Sequence, residues 1–379
     1  MVAPPAKSWL PAAMSLGSRI KICLAFLIVA AALPASAATV ARFQDDNLAL
    51  YSETGDARVL RSSPLTPLLR GKPNWSVTAD IAALGKAEKK SWHLVDADCL
   101  PPTFARCLLF LAETGRPGVA LREYDAEAGG FVPDGFALPA GPTQAIWYDD
   151  SRILIAANTG PGSLTSAGVP RLLKLWTRGQ PVYAATTILA APLDARGIRP
   201  FFSLSGGGLF HAAEVTTASG AHELYHFGWA QNFRRSQLPT DARLLDFFQG
   251  RAIAVLGDSG WMTSEGRHPP GSLVAYPMAP LLGPASQTLP ELAYTPPAGF
   301  RIIAAKAGRD TLYVQLRGAS GDRLVSLRKG APSWPAANIA LPAGPLELVA
   351  ASDLADVALV VSGSEFHIVG RGRTRTITP

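Results

Sequence analysis

The feature that most constrains this chain is the recurrence of short β-rich runs with almost no helical periodicity. Such runs occur at 106–112, 119–124, 152–157, 171–176, 208–215, 223–228, 251–256, 272–276, 301–305, 311–316, 323–327, 356–361 and 366–369. Gly, Pro, Asp and Ser punctuate them, as in Gly129-Gly130, Gly206-Gly207-Gly208 and Gly321-Asp322. Short apolar runs bounded by turn residues predict an all-β chain of many short antiparallel strands. One Ala- and Lys-rich stretch, 80–90, reads as a turn or two of helix between sheets.

The runs group into weakly self-similar units at roughly 40–84, 91–140, 143–190, 199–240, 242–292, 300–342 and 347–379. Their mean length of about 49 residues suits a four-stranded blade. One such sheet cannot bury both of its faces. Stacking neighbours around an axis buries them and leaves only short edges. The expected fold is therefore a seven-bladed β-propeller of four-stranded antiparallel sheets, with Trp147, Trp176, Phe201 and Phe227 packed between blades. The Pro-rich segments 139–142, 296–297 and 342–345 fall between units and read as inter-blade connections. A two-domain β-sandwich is the alternative if one repeat is overcounted.

The start of the chain carries an address. Arg19 and Lys21 precede an apolar run at 22–33, and Ala35-Ser36-Ala37 follows as a small-x-small cleavage site. This pattern predicts a signal peptide over 1–37 and a propeller domain over 38–379. The apolar run is too short for a permanent membrane span, so the processed chain is expected to have no membrane contact and to be periplasmic or secreted. Met14 is an alternative start to Met1, because the segment before it fits no part of such a leader. The net charge of +6 falls to +3 once Lys7, Arg19 and Lys21 leave with the leader. That balance is mild, no Lys/Arg cluster of nucleic-acid type is present, and no nucleic-acid partner is expected. The basic stretches 318–328 and Arg371-Arg373-Arg375 read as solvated faces.

Cys99 and Cys107 are the cysteines outside the leader. An exported chain meets an oxidising compartment, so a structural disulfide between them is expected. Closing so short a loop would stabilise the fold by roughly 2–3 kcal/mol on the chain-entropy account.

Two stretches carry a family resemblance. The first includes Trp75-Ser76-Val77, Asp80-Ile81, Trp92, Ala97-Asp98-Cys99-Leu100-Pro101-Pro102 and Arg106-Cys107-Leu108. The second includes Arg122-Glu123-Tyr124-Asp125, Gly129-Gly130-Phe131-Val132, Asp134-Gly135-Phe136-Ala137-Leu138-Pro139, Trp147, Asp149-Asp150, Gly160-Pro161-Gly162-Ser163-Leu164-Thr165, Pro170-Arg171-Leu172-Leu173-Lys174-Leu175-Trp176 and Arg178-Gly179. Together they resemble the blades of bacterial secreted prolyl-oligopeptidase-type serine peptidases. Beyond about residue 190 the likeness thins to strand spacing and Gly271-Ser272-Leu273-Val274-Ala275-Tyr276. The resemblance implies a seven-bladed propeller that, in the family, covers an α/β-hydrolase domain and admits short peptides while excluding folded proteins. The expectation here is a propeller standing without that hydrolase domain or the N-terminal segment that packs on it.

A search for catalytic chemistry leads to the same expectation. The nucleophile elbow GxSxG does not occur in the sequence. Gly257-Asp258-Ser259-Gly260 and Gly318-Ala319-Ser320-Gly321 come nearest and read as hairpin turns. Gly160-Pro161-Gly162-Ser163 and Ser205-Gly206-Gly207-Gly208 lack the Lys-Ser/Thr of a phosphate loop. His222-Glu223-Leu224-Tyr225-His226 matches HExxH by letters. On a helix its two imidazoles would lie about 6 Å apart and share a zinc. On a strand they lie about 13 Å apart, at ~3.3 Å per residue. The flanks Ser219-Gly220 and Phe227-Gly228-Trp229 favour turn, strand, turn, so no metal, cofactor or catalytic residue is expected. Three functions follow in order. The first is an exported non-catalytic propeller binding a peptide or protein partner. The second is the gating subunit of a serine-type peptidase whose hydrolase is a separate chain. The third is a metallopeptidase acting through His222 and His226.

Overall fold

The computed structural model describes residues 40–378 apart from 55–56, 204–209, 228–232, 265, 279–288, 331–332 and 343. The expected leader, the Gly206-Gly207-Gly208 turn and the Gly228-Trp229 flank lie outside the described residues. Seven antiparallel sheets succeed one another along the chain, at 41–80, 92–141, 144–190, 197–235, 243–294, 300–339 and 346–377. They are numbered here as blades 1 to 7. Each is a meander in which consecutive strands pair, and six have four strands. In blade 2, Gly130–Phe131 and Ala137–Gly141 share the outer edge of Val119–Asp125. Blade 5 carries a small extra hairpin, Trp261–Thr263 with Gly266–His268, between its second and third strands.

The reason these sheets form a ring lies in their second strands, which are apolar on both faces. Side chains alternate across a strand, and here the alternation sorts residues between two neighbours. In blade 3, Ile153 and Ile155 pack into blade 2, while Leu154 and Ala156 pack into blade 4. In blade 5, Ala252 and Ala254 meet blade 4, and Ile253 meets blade 6. In blade 7, Ala358 and Val360 meet blade 6, and Val357 and Leu359 meet blade 1. Each junction between successive blades holds its own apolar cluster. Blades 7 and 1 hold another, in which Leu359, Ile368 and Ile377 pack on Leu48, Leu50 and Leu68. That contact closes the circle. Among the described residues no strand passes between the first and last sheets, so closure there rests on side-chain packing, helped by Trp75 Nε1 donating to Thr378 O at 2.8 Å. A seven-membered closed wheel excludes the two-sandwich alternative.

The aromatic side chains take the expected places. Trp147 and Trp176 pack edge-on around Phe136 at the blade 2–3 junction, and Phe201 lies against the blade 4–5 cluster. The side chain of Phe227 is outside the described residues. The helix Ile81–Glu88 joins blades 1 and 2. Asp80 caps it by accepting from Ala83 N at 2.9 Å, and Lys89 ends it at φ 57°. Gly85 is required on this helix, because a Cβ there would lie 2.6 Å from Lys90 O.

Apolar packing is non-directional, and polar bonds set each blade against the next. At the 2–3 junction the fully buried Glu123 carboxylate receives Arg178 in a two-point bond, Nη1 to Oε2 at 2.6 Å and Nη2 to Oε1 at 2.8 Å. It also accepts from Phe136 N at 2.9 Å, and the Arg178 guanidinium lies 4.8 Å over the Phe136 ring. Breaking a buried pair from one side costs about 3–5 kcal/mol. Arg178 is a third exposed and can regain water. Glu123→Ala is therefore expected to destabilise by about 3 kcal/mol, read as a shift in urea midpoint at unchanged slope. A loss below about 1 kcal/mol would show that the pair does not hold the junction.

His226 gives blade 4 an acid-sensitive point. It lies on the strand His222–Phe227, is 3% exposed, and neither ring nitrogen has a hydrogen-bond partner among the described residues. Burial, aided by Arg234 directly across the sheet, pushes its pKa down to about 4. The unfolded chain titrates this group near 6.5. Between those values the unfolded state binds more protons, so stability present at pH 7 is lost as pH falls from about 6.5 to about 4. The size is at most ~3 kcal/mol. The His226→Leu variant should lose less stability than the parent between pH 7 and pH 4 in paired urea melts. Equal losses would remove His226 as the cause.

Candidate functional site: the central channel

The first strands of the blades stand around the axis. Ala41–Gln44 lies beside Leu346–Ser352, which lies beside Phe300–Ala307, which lies beside Arg243–Phe248. Where these strands turn into their second strands, a cavity of about 730 Å³ opens, lined from blades 1, 4, 5, 6 and 7. Its wall mixes both signs of charge with apolar surface. Arg42, Lys306 and Arg309 stand against Asp45, Asp246, Asp310 and Asp353, with Phe202, Phe247 and Leu354 among them. Leu354 is 45% exposed at this mouth.

A repeated local device shapes the inner strands. The pairing of first and second strands slips by one residue between Leu94 and Asp96, Leu244 and Asp246, Ile302 and Ala304, and Leu348 and Ala350. Each slip is a bulge that leaves one aliphatic residue, Val95, Leu245, Ile303 or Val349, without a cross-strand partner and bends the strand. In two blades an Asp follows and accepts the next backbone N–H. Asp96 Oδ1 accepts from Ala97 N at 2.8 Å, and Asp246 Oδ1 accepts from Phe247 N at 2.7 Å. The same carboxylates then reach a neighbouring blade. Asp96 binds the Arg42 guanidinium of blade 1 at 2.8 Å through both oxygens, and Asp246 accepts from Ala307 N of blade 6 at 2.9 Å. Burial raises the pKa of Asp246, against the pull of Lys306. Burial also raises Asp98, to about 6, opposed by Arg42 and by the bond from Trp147 N.

The signal for these bulges is present in the sequence as two aliphatic residues followed by Asp or Ala: Leu94-Val95-Asp96, Leu244-Leu245-Asp246, Ile302-Ile303-Ala304 and Leu348-Val349-Ala350. Strand spacing alone missed it, because a bulge breaks the period on which strand recognition depends.

Cys99 and Cys107 are bonded, with Cα atoms 3.9 Å apart. They sit opposite one another on Trp92–Cys99 and Arg106–Glu113, so the bridge ties two strands at the base of the 100–105 turn. The third alternative, a metallopeptidase, required a helix at 222–226 and is eliminated. His222-Glu223-Leu224-Tyr225-His226 is strand, not helix, and its two imidazoles are ~13 Å apart along it. His222 Nδ1 lies 3.1 Å from Glu214 Oε1, while His226 is enclosed in the sheet interface. The two serines nearest an elbow pattern are committed to turns. Ser259 Oγ donates to Asp241 Oδ2 at 2.5 Å, and Ala319-Ser320 form the two-residue turn between Leu312–Gly318 and Gly321–Leu327.

No family model matches the chain. Among curated proteins it is 27% identical over 307 residues to an uncharacterised peptidase of Sinorhizobium fredii, across 77% of this chain and 41% of the relative. Among solved structures it matches a post-proline cleaving enzyme from Rickettsia typhi with a TM-score of 0.76 at 19% identity, over 89% of this chain and 52% of the other. It matches prolyl oligopeptidase B from Galerina marginata with a TM-score of 0.65 at 10% identity, over 90% and 50%. The chain thus spans about two fifths of that curated relative and about half of each structural neighbour. The strings that carry the resemblance include Asp98, Glu123, Trp147 and Arg178, which meet at the blade 2–3 junction. With seven sheets in one ring, the chain has the β-propeller fold that matches about half of these prolyl oligopeptidase structures, and it is similar in sequence to a peptidase-named relative.

Proposed function

We propose that this chain is an exported, non-catalytic propeller that binds a peptide or an extended protein segment at its channel mouth. The observation that carries the reading is the convergence of five blades on one cavity of about 730 Å³ whose wall holds both signs of charge beside exposed apolar side chains. An extended peptide presents amide groups, apolar side chains and charges of either sign, and such a wall can meet all three. A folded domain is far larger than the cavity. The Ser259 hydroxyl is tied to Asp241 and Ser320 sits in a two-residue turn, which supports a binding role for this part of the molecule. The second reading is a gate for a serine-type hydrolase carried on a separate chain, favoured because the structural neighbours are peptidases of which this chain matches about half.

One experiment separates the readings. The purified chain is incubated with a fluorophosphonate probe and with proline-containing peptides of ten to thirty residues. The expected result is no labelling, no cleavage, and peptide binding that Leu354→Arg weakens several-fold. Labelling of the chain itself would overturn the non-catalytic reading. Peptide binding indifferent to Leu354→Arg would move the site away from the channel. Recovery of a labelled hydrolase with the chain from the native envelope fraction would establish the second reading instead.

A further inference from the structure

Blades 6 and 7 enclose a second cleft, of about 400 Å³, away from the channel. Arg328, Arg371 and Arg373 line it together with Ser326, Asn338 and Thr374, and no carboxylate belongs to the lining. Arginines at two other blade junctions are bonded to carboxylates, Arg42 to Asp96 and Arg178 to Glu123. Among the described residues, these three have no such partner. The neighbouring Asp356 carboxylate does not serve them. It accepts from Asp310 N and Thr311 N, each at 3.0 Å, and from Thr311 Oγ1 at 2.9 Å.

Backbone geometry points the same way. Arg371 and Gly372 form the two-residue turn between Glu365–Gly370 and Arg373–Ile377, with φ of 51° and 70°. A turn with positive φ at both positions favours Asn or Asp followed by Gly. An arginine in the left-handed region is uncommon, and here it adds a cation to a cleft that already holds two. Guanidinium groups present paired N–H donors that match the oxygens of phosphate and carboxylate groups.

We propose that this cleft binds a small oxyanion carrying at least two negative charges, of phosphate or carboxylate chemistry. The anion's oxygens accept from Arg328 and Arg371, and the Asn338 amide lines the same cleft, while the Ser326 hydroxyl is engaged with Ala337 O at 3.3 Å. The site is independent of the channel and of the reading given to it.

The test is calorimetric titration of the full chain at low ionic strength, with inorganic pyrophosphate in one arm and citrate in the other. Binding of at least one is expected, weakened at least tenfold by the pair Arg328→Gln and Arg371→Gln. The pair Arg70→Gln and Lys72→Gln, which removes the same charge from blade 1, should leave it unchanged. Arg371→Gly suits the turn and keeps the fold, so it should weaken binding several-fold on its own without lowering the melting temperature. The arm that binds identifies the chemistry. The proposal is overturned if neither anion binds, if the control pair weakens binding as much, or if Arg371→Gly leaves affinity intact.

Discussion

The structure depends on burial of both faces of the second strand in every blade. A sheet with one apolar face can pack on a single partner and stop. A sheet with two needs a neighbour on each side, and a row of such sheets ends only by meeting its own beginning. The alternation of Leu48 and Leu50 with Ala49 and Tyr51 in blade 1, and of Val357 and Leu359 with Ala358 and Val360 in blade 7, leaves each terminal blade one unmatched apolar face. Those two faces meet. The hydrophobic effect thus closes the ring without any strand shared among the described residues, because exposing two such faces would leave a large apolar surface in water.

Directional bonds then decide how each blade sits against the next, and they differ from junction to junction. Blades 2 and 3 use Glu123 and Arg178. Blades 5 and 6 use Asp246 and the Ala307 amide. Blades 6 and 7 use Asp356, and also Gln315, whose Nε2 donates to Leu346 O while its Oε1 accepts from Leu348 N at 3.0 Å. Several of these are buried side chains completing backbone hydrogen bonds of a neighbouring sheet. A misplaced blade would leave those groups unpaired, at about 1–3 kcal/mol each. The variety explains why the repeats are so weakly alike: the apolar requirement is common to all blades, whereas each polar link is local.

The channel follows from the same arrangement. First strands have one hydrogen-bonded neighbour within their own blade and present the other edge to the axis. Bulges in four of them bend that edge, and Asp96 and Asp246 satisfy amides beside the bend while linking to adjacent blades. At Asp246 the wall of the proposed binding site is therefore also a structural joint, and burial there raises the pKa of that carboxylate.

Much of this was legible in the chain itself. The seven units and the helix near Asp80 were readable because burial imposes a period on apolar residues and turns demand Gly, Pro and Asp. The Cys99–Cys107 pairing was readable from eight residues of separation in a chain expected to be exported. The site was legible only in part. The HExxH letters of 222–226 carry no geometry until the backbone is known, and a strand separates what a helix would join. Glu123 with Arg178, Asp246 with Ala307, and Arg328 with Arg371 are neighbours across sheets, far apart along the chain. Local pattern by itself determined that this protein is built of short two-faced strands, because periodicity is a property of consecutive residues. Which charges meet, which strands border the channel and where three unpaired arginines gather were decided only when the ring closed, because those contacts join residues that sequence spacing cannot relate.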